Sequence, residues 1–298
     1  MNRAQDLLGP MRVPFLILAP ACVALGAACA VWRQVEVNPL HLLLVLVGAL
    51  AAHVSVNSLN EYFDWRSGLD MRTERTPFSG GSGTLPARPE LARSALATGL
   101  VSLAITGLVG LYFVLVWGWA LLPLGLLGLA IIVLYTPWIT RVPLLCLLAP
   151  GIGFGLLMVT GTDFALAGSY SWTAFVASLA PTFLVSDLLL LNQFPDAEAD
   201  RSVGRRHVLI TLGKRTSSLI YGAFLLLAYL SIVVGVLLKL LPATSLLGLL
   251  TLFAAVPAAI GAVRHADRAD MLIPFMAQNV VVNILTPLLM AIGLLIAV

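Results

Sequence analysis

Residues 172–201 read WTAFVASLAPTFLVSDLLLLNQFPDAEADR. From Trp172 to Phe194 a single ionisable side chain, Asp187, interrupts an otherwise uncharged run. Crossing ~30 Å of hydrocarbon as a helix takes about 20 predominantly apolar residues, so the run is long enough to span a bilayer. It ends in Asp196, Glu198 and Asp200, followed by Arg201. Hydrocarbon gives way to carboxylates within about one helical turn. The stretch therefore predicts a transmembrane helix with an acidic end.

Eight further segments obey the same length rule. They run from Val13 to Val31, Pro39 to Asn60, Leu91 to Val114, Trp119 to Tyr135, Pro143 to Thr162, Ser217 to Leu240, Ser245 to Val263 and Met271 to Val298. Hydrophobic residues make up 60% of the 298 positions and charged residues 10%, with a mean hydropathy of +1.00. A water-soluble domain carries about 25% charged residues, so this chain lacks the polar surface to cover itself in water. The predicted fold class is an all-α polytopic transmembrane bundle of about nine helices, one domain over residues 1–298, with a polar cavity on the cytoplasmic side and cap loops over it. Cys22, Cys29 and Cys146 lie inside apolar runs without metal-ligand spacing and read as buried small hydrophobes. The first run is followed by many more, which argues for a retained helix rather than a cleaved signal.

Orientation follows from the basic residues. The N-terminus, the loops after helices two, four, six and eight, and the first turn of helix three (Arg93) hold all 17 Lys and Arg residues except Arg33 and Lys239. Positive residues stay in the cytoplasm, which places the N-terminus and the even loops there. An odd helix count then places the C-terminus outside. With no organelle-targeting segment visible, the expected location is a bacterial inner membrane.

The 14 acidic residues are concentrated. Five fall between Glu61 and Glu90 and four between Asp187 and Asp200. Carboxylates at the edge of hydrocarbon are costly unless they are paired or hold a cation, so they mark candidate functional sites. The first cluster contains Asn60-Glu-Tyr-Phe-Asp64 and continues to Asp70; the second is Asn192-Gln-Phe-Pro-Asp196-Ala-Glu-Ala-Asp200. Residues four apart share a helix face, which aligns Asn60 with Asp64 and Asn192 with Asp196 and Asp200. Four helices separate the copies, the pattern of an internal pseudo-repeat. Loop-end carboxylates neutralised by nearby arginines are the plainer reading of either cluster alone, but it does not account for matched spacing on equivalent helices.

Two facing sets of carboxylates and amide oxygens suit Mg²⁺, which binds through one or two carboxylates plus substrate phosphates. Arg66, Arg72 and Arg75 follow the first cluster; Arg201, Arg205, Arg206, Lys214 and Arg215 follow the second. Such cations can hold the oxygens of a diphosphate. Over an apolar cavity, this chemistry calls for a substrate with a diphosphate head and a long greasy tail, as in an isoprenyl diphosphate.

These residues resemble the motifs of the UbiA superfamily of intramembrane prenyltransferases, and the likeness extends over nearly the whole chain. The step from Asp64 to Asp70 is similar to that of the MenA-like branch, which prenylates 1,4-dihydroxy-2-naphthoate for menaquinone. Tyr62-Phe63-Asp64, Thr76-Pro-Phe-Ser-Gly-Gly-Ser-Gly83, Leu156-Leu-Met-Val-Thr-Gly-Thr162, Gln278-Asn279 and Asn283-Ile-Leu-Thr-Pro287 add to that likeness. In one departure, many members carry Leu-Gly-Glu after the fourth helix, whereas Arg141-Val-Pro-Leu-Leu-Cys146 here has no carboxylate.

The resemblance implies that Asp64, Asp70, Asp196 and Asp200 bind Mg²⁺, with Asn60 and Asn192 completing the catalytic set. Arg72, Arg75, Arg201 and Lys214 would hold the diphosphate. Departure of diphosphate leaves an allylic cation, which aromatic faces such as Tyr62, Phe63, Trp65 or Tyr135 can stabilise. Tyr62, Tyr135, Asp187, Asn279 and Asn283 are the candidates for contact with the prenyl chain or an aromatic acceptor. Membrane lipids are the remaining expected partner, and no nucleic acid is expected.

Other features have plainer readings. His53 is most simply a satisfied intramembrane histidine, Asp187 a protonated hydrogen-bonded carboxyl, and Asn279 and Asn283 interhelical contacts. Gly80-Gly81-Ser82-Gly83 reads as a mobile cap over the cavity, and Arg205-Arg206-His207 can meet anionic headgroups instead of substrate. Competing functions are a UbiA-type transferase or cyclase using another acceptor (4-hydroxybenzoate, homogentisate, a porphyrin or a lipid alcohol) and a secondary transporter. Transporter sites tend to the midplane, whereas both clusters here sit at helix ends.

Overall fold

A computed structural model of the chain describes residues 8–298. Arg3, counted in the N-terminal charge, lies outside the described residues. Among these, the fold is all helix, with no strand. Eight helices have the length and apolarity to cross a membrane, and a ninth is shorter. They are α1 (Val13–Trp32), α2 (Pro39–Ser67), α3 (Pro89–Trp117), α4 (Trp119–Leu134), α5 (Pro143–Ala167), α6 (Trp172–Ser202), α7 (Lys214–Leu237), α8 (Ala243–Arg264) and α9 (Ala269–Leu295), where α4 is the short one. Each corresponds to one segment read from the sequence.

The ends differ in ways that matter for the site. α2 runs on past Asn60 to Ser67, and α6 runs on past Phe194 to Ser202 with Pro195 inside it. The acidic motifs are therefore mostly helical, not loop. Asn38 caps the start of α2, its side chain accepting from the Leu40 N–H at 2.9 Å, and Gly68 ends it at φ 77°. Such a cap contributes ~1 kcal/mol, and the left-handed turn at Gly68 is open to glycine without strain. Asp70 follows in a short 3₁₀ turn, Leu69–Met71.

α1, α6 and α9 form the centre. α1 packs against α9, α5 and α2, and α6 against α7, α5 and α9. One apolar core joins Cys22, Leu25 and Cys29 on α1 to Leu184 and Leu191 on α6, Tyr221 on α7 and Met276 and Met290 on α9. The three cysteines are buried and free, as small hydrophobes. Outward-facing positions keep large apolar side chains exposed, among them Leu115, Leu237 and Phe253, as lipid contact requires.

The close crossing of α5 on α6 shapes the interior. A Cβ on Gly151 or Gly155 would collide with the Thr182 backbone, so the two helices touch through small residues. Pro150 removes a backbone donor, and the helix opens into a π-helical segment over Ile152–Leu157. That segment carries Phe154 to the wall of an internal cavity.

Candidate active site

The cavity holds about 500 Å³ and its lining is mostly apolar. α2 supplies His53, Asn57 and Asn60 to it, α6 supplies Asn192, and α9 supplies Asn283; Tyr135 closes the end of α4. Asn60 and Asn192 are the first members of the two acidic motifs. Both motifs therefore meet the same cavity, and their carboxylates stand beyond its polar end.

Arg205 joins the two motifs. Its guanidinium donates to Asp64 from one nitrogen and to Asp200 Oδ1 from the other at 2.9 Å. Asp200 also meets His207 Nε2 at 3.0 Å. The chain reaches this position because α6 ends at Ser202 and Gly204, at φ 82°, turns it back, with the Arg205 N–H on the Asp200 carbonyl at 3.1 Å. Burial opposes the charge on Arg205, but Asp64 and Asp200 outweigh it and hold the guanidinium protonated.

A second pairing anchors the first motif. Glu61 is fully buried and accepts from Arg12 Nε at 2.9 Å, the Ser82 N–H at 2.7 Å and the Ser82 hydroxyl at 2.8 Å. Arg12 also donates to Asn60 Oδ1 at 3.2 Å, and the Asn60 amide donates to Thr136 at 3.0 Å. The glycine-rich loop is thus tied to α2. It reaches α6 as well, because the Gly80 N–H donates to Asp196 Oδ2 at 3.1 Å. Gly81 sits at φ 73° where an added Cβ would lie 3.0 Å from Asp70 Oδ1, which explains the glycine.

The donor set suits a hard divalent cation. Asp70 Oδ2, Asp196 Oδ1 and Asn192 Oδ1 are enclosed oxygens without a partner among the described residues. Burial, followed by the negative charges of Asp64 and Glu61, pushes the Asp70 carboxyl up to about 7. Among the described residues no three Asp, Glu, His or Cys side chains converge closely enough to hold a metal ion. Between Asp64 and Asp200 the positive charge is supplied by Arg205.

The other residues singled out from sequence are dispersed. Arg72 is exposed and donates to Ser202 Oγ at 3.0 Å, linking the loop after α2 to the end of α6. Arg75 lies across the glycine loop against Gly83. Arg201 is exposed and pairs with Glu198 at 3.9 Å. Lys214 opens α7, half-buried. Tyr62 and Trp65 pack against the cluster of Leu85, Ala92 and Ala95, and neither is among the residues lining the cavity. Tyr62 also sets its ring edge-on to Phe63. Asp187 is fully buried, and neither carboxyl oxygen has a partner among the described residues. The Asn279 amide donates to the Asp187 carbonyl at 3.4 Å, and the Asn283 amide to the Asn279 carbonyl at 2.9 Å.

Arg12 is given no role by the sequence patterning; Glu61 enters there only as a member of the first cluster, and Arg205 and His207 only as members of the basic run after the second. The run 205–207 divides: Arg206 is exposed, while Arg205 and His207 turn inward instead of meeting headgroups. Gly204, just past the helix end, is the signal that the chain doubles back.

Comparison with known proteins fits this geometry. The UbiA prenyltransferase family matches residues 17–281. The 1,4-dihydroxy-2-naphthoate octaprenyltransferase of Bacillus subtilis (strain 168) is 29% identical over 285 residues, covering 92% of this chain and 87% of that one. The protein of the same name from Escherichia coli (strain K12) is 29% identical over 313 residues, covering 99% and 96%. Among solved structures, a UbiA homolog from Aeropyrum pernix K1 superposes with a TM-score of 0.66 at 19% identity, covering 95% of this chain and 97% of that one. A UbiA homolog from Archaeoglobus fulgidus bound to GPP and Mg²⁺ gives 0.57 at 14% identity, covering 94% and 99%. The chain belongs to the UbiA prenyltransferase family; it is an integral membrane enzyme of the prenyltransferase class.

Proposed function

We propose that this UbiA-family chain transfers an isoprenyl group from its diphosphate to 1,4-dihydroxy-2-naphthoate in an Mg²⁺-dependent reaction of menaquinone biosynthesis. The observation that carries the reading is the meeting of both acidic motifs at the polar end of one apolar cavity, with Asp64 and Asp200 on a shared arginine. The names of the Bacillus and Escherichia relatives support the acceptor.

In this reading Asp64, Asp70, Asp196 and Asp200 would close in to hold the metal, and Asn60 and Asn192 would add amide oxygens. Bound Mg²⁺ supplies positive charge to the departing diphosphate. Arg72, Arg75, Arg201 and Lys214 would draw in the diphosphate, and Arg205 already stands among the carboxylates. The apolar walls keep water from an allylic cation, and Tyr135 offers it an aromatic face. Asn283 lines the space for the prenyl chain or acceptor, with Asn279 and Asp187 behind it. Tyr62 acts through the cap loop that it supports.

The whole chain works as one domain. The N-terminus and carboxylate end face the cytoplasm of a bacterial inner membrane, the C-terminus lies outside, and lipids surround the bundle. The test of the acceptor is product analysis with purified protein, Mg²⁺, geranylgeranyl diphosphate and 1,4-dihydroxy-2-naphthoate. A prenylated naphthoquinol is the expected product; diphosphate release with no such product removes the naphthoate reading.

A further inference from the structure

We infer that His53 recognises the acceptor, hydrogen-bonding a ring hydroxyl of a hydroxylated aromatic molecule held in the cavity. This rests on the reading of the chain as an aromatic prenyltransferase and assigns the acceptor end of the same site.

His53 lies on α2 at the head of a polar stripe, His53, Asn57, Asn60 and Asp64, spaced four, three and four residues apart and so on one helix face. Eleven residues at ~1.5 Å each put it about 16 Å along the axis from Asp64. The carboxylates occupy one end of the stripe and His53 the other, within the apolar part of the cavity. In the proposed reaction the prenyl chain runs from the carboxylates into the cavity, so an aromatic acceptor that attacks it would enter the same space. His53 lines that space.

The state of the ring is the second observation. His53 is 5% exposed and lines the cavity; its Nδ1 is enclosed without a partner, and Nε2, which makes no hydrogen bond among the described residues either, is the nitrogen left accessible to a molecule in the cavity. Asn192 Oδ1 and Asn283 Oδ1, on α6 and α9, also lack partners, but the neighbouring polar groups on α2 and α3 are committed. The Asn57 amide donates to the Met11 carbonyl, the Asn60 amide to Thr136, and Thr106 to the Ser102 carbonyl. An enclosed polar atom without a partner is costly in a native interior and persists where something else satisfies it. Neutral imidazole carries one N–H and one lone pair, so it can donate to a ring oxygen or accept from a hydroxyl.

Phe154 fixes the imidazole, edge-to-face with centroids 4.6 Å apart and planes at 74°. Phe154 sits in the π-helical part of α5, and π segments recur at functional sites. The histidine is thus held in one orientation by packing while its hydrogen-bonding capacity is left unspent.

The test uses the full-length protein in detergent with Mg²⁺ and geranylgeranyl diphosphate. The acceptors offered are 1,4-dihydroxy-2-naphthoate, 4-hydroxybenzoate and homogentisate. For the acceptor that the wild type prenylates, His53→Leu raises KM tenfold or more, leaves KM for the diphosphate within twofold, and His53→Gln recovers most of the loss. The assignment is overturned if the His53→Leu acceptor KM stays within twofold of wild type. It is also overturned if both KM values rise together with a lower Tm, which marks a wall position only. A wild type that prenylates another of these rings but not the naphthoate removes the naphthoate reading, and His53 is then judged on the ring used. A wild type that consumes the diphosphate and prenylates none of them overturns the His53 assignment itself.

Discussion

Asp64 and Asp200, one from each acidic motif, are held by the same guanidinium, that of Arg205. The motifs lie on α2 and α6, and this shared cation is what fixes their separation. Without a compensating charge, two enclosed carboxylates facing one site repel each other, and one of them must take a proton.

Arg205→Gln should therefore destabilise the metal-free protein. Breaking a buried ion pair from one side costs about 3–5 kcal/mol. Thermal unfolding in detergent with EDTA should show a clear fall in Tm, and MgCl₂ should recover more of it in the variant than it adds to the wild type. An unchanged Tm would mean that the carboxylates do not depend on Arg205.

Glu61 ties Arg12 and Ser82 to α2 from a fully buried position. Glu61→Ala leaves the Arg12 charge and the Ser82 donors without their partner, at a cost of about 3 kcal/mol or more. The glycine loop should then open, and tryptic cleavage after Arg75 should quicken by about tenfold or more. Equal cleavage rates in the two proteins would show that the loop is held elsewhere.

The pH dependence follows from Asp70, whose carboxyl stands at about 7. This folded value lies above the unfolded value of about 3.9, so the metal-free fold gains from the protonated form. That contribution is full below about pH 4 and is lost as pH rises through 7. Mg²⁺ binding needs the carboxylate, so the sign reverses: affinity should rise about tenfold from pH 6 to pH 8 as Asp70 ionises. Calorimetric titration at both values tests this, and Asp70→Asn should reduce the difference.

Much of the bundle could be read from length and apolarity, because a bilayer sets how long each helix must be. What could not be read was where the helices stop. Asp64 and Asp200 lie on helix beyond the apolar part, since a helix passing into water needs no change of backbone. Spacing alone linked Asn60 to Asp64 and Asn192 to Asp196. It could not say which of five basic residues after the second motif turns inward, since that depends on Gly204 and the turn it allows. Tyr62 shows the opposite limit: an aromatic beside the motif pointed to the cavity, but α2 presents it to Leu85 and the loop. His53 falls in step with Asn57, Asn60 and Asp64, but spacing alone does not tell it from a core histidine. Its significance comes from an enclosed nitrogen and an open cavity, and neither exists before folding.

The central claim is metal-assisted release of diphosphate by the paired acidic motifs. Its most direct test is diphosphate release from geranylgeranyl diphosphate by purified wild type and Asp196→Ala, each with Mg²⁺ and with EDTA. Asp196 takes one loop N–H from Gly80 and keeps its other oxygen free of protein partners among the described residues, so its removal should leave the bundle folded. Mg²⁺-dependent release by the wild type and a loss of about 100-fold in the variant are expected, with gel-filtration behaviour unchanged. Release by a folded Asp196→Ala at near the wild-type rate, or release that ignores EDTA, would contradict the claim.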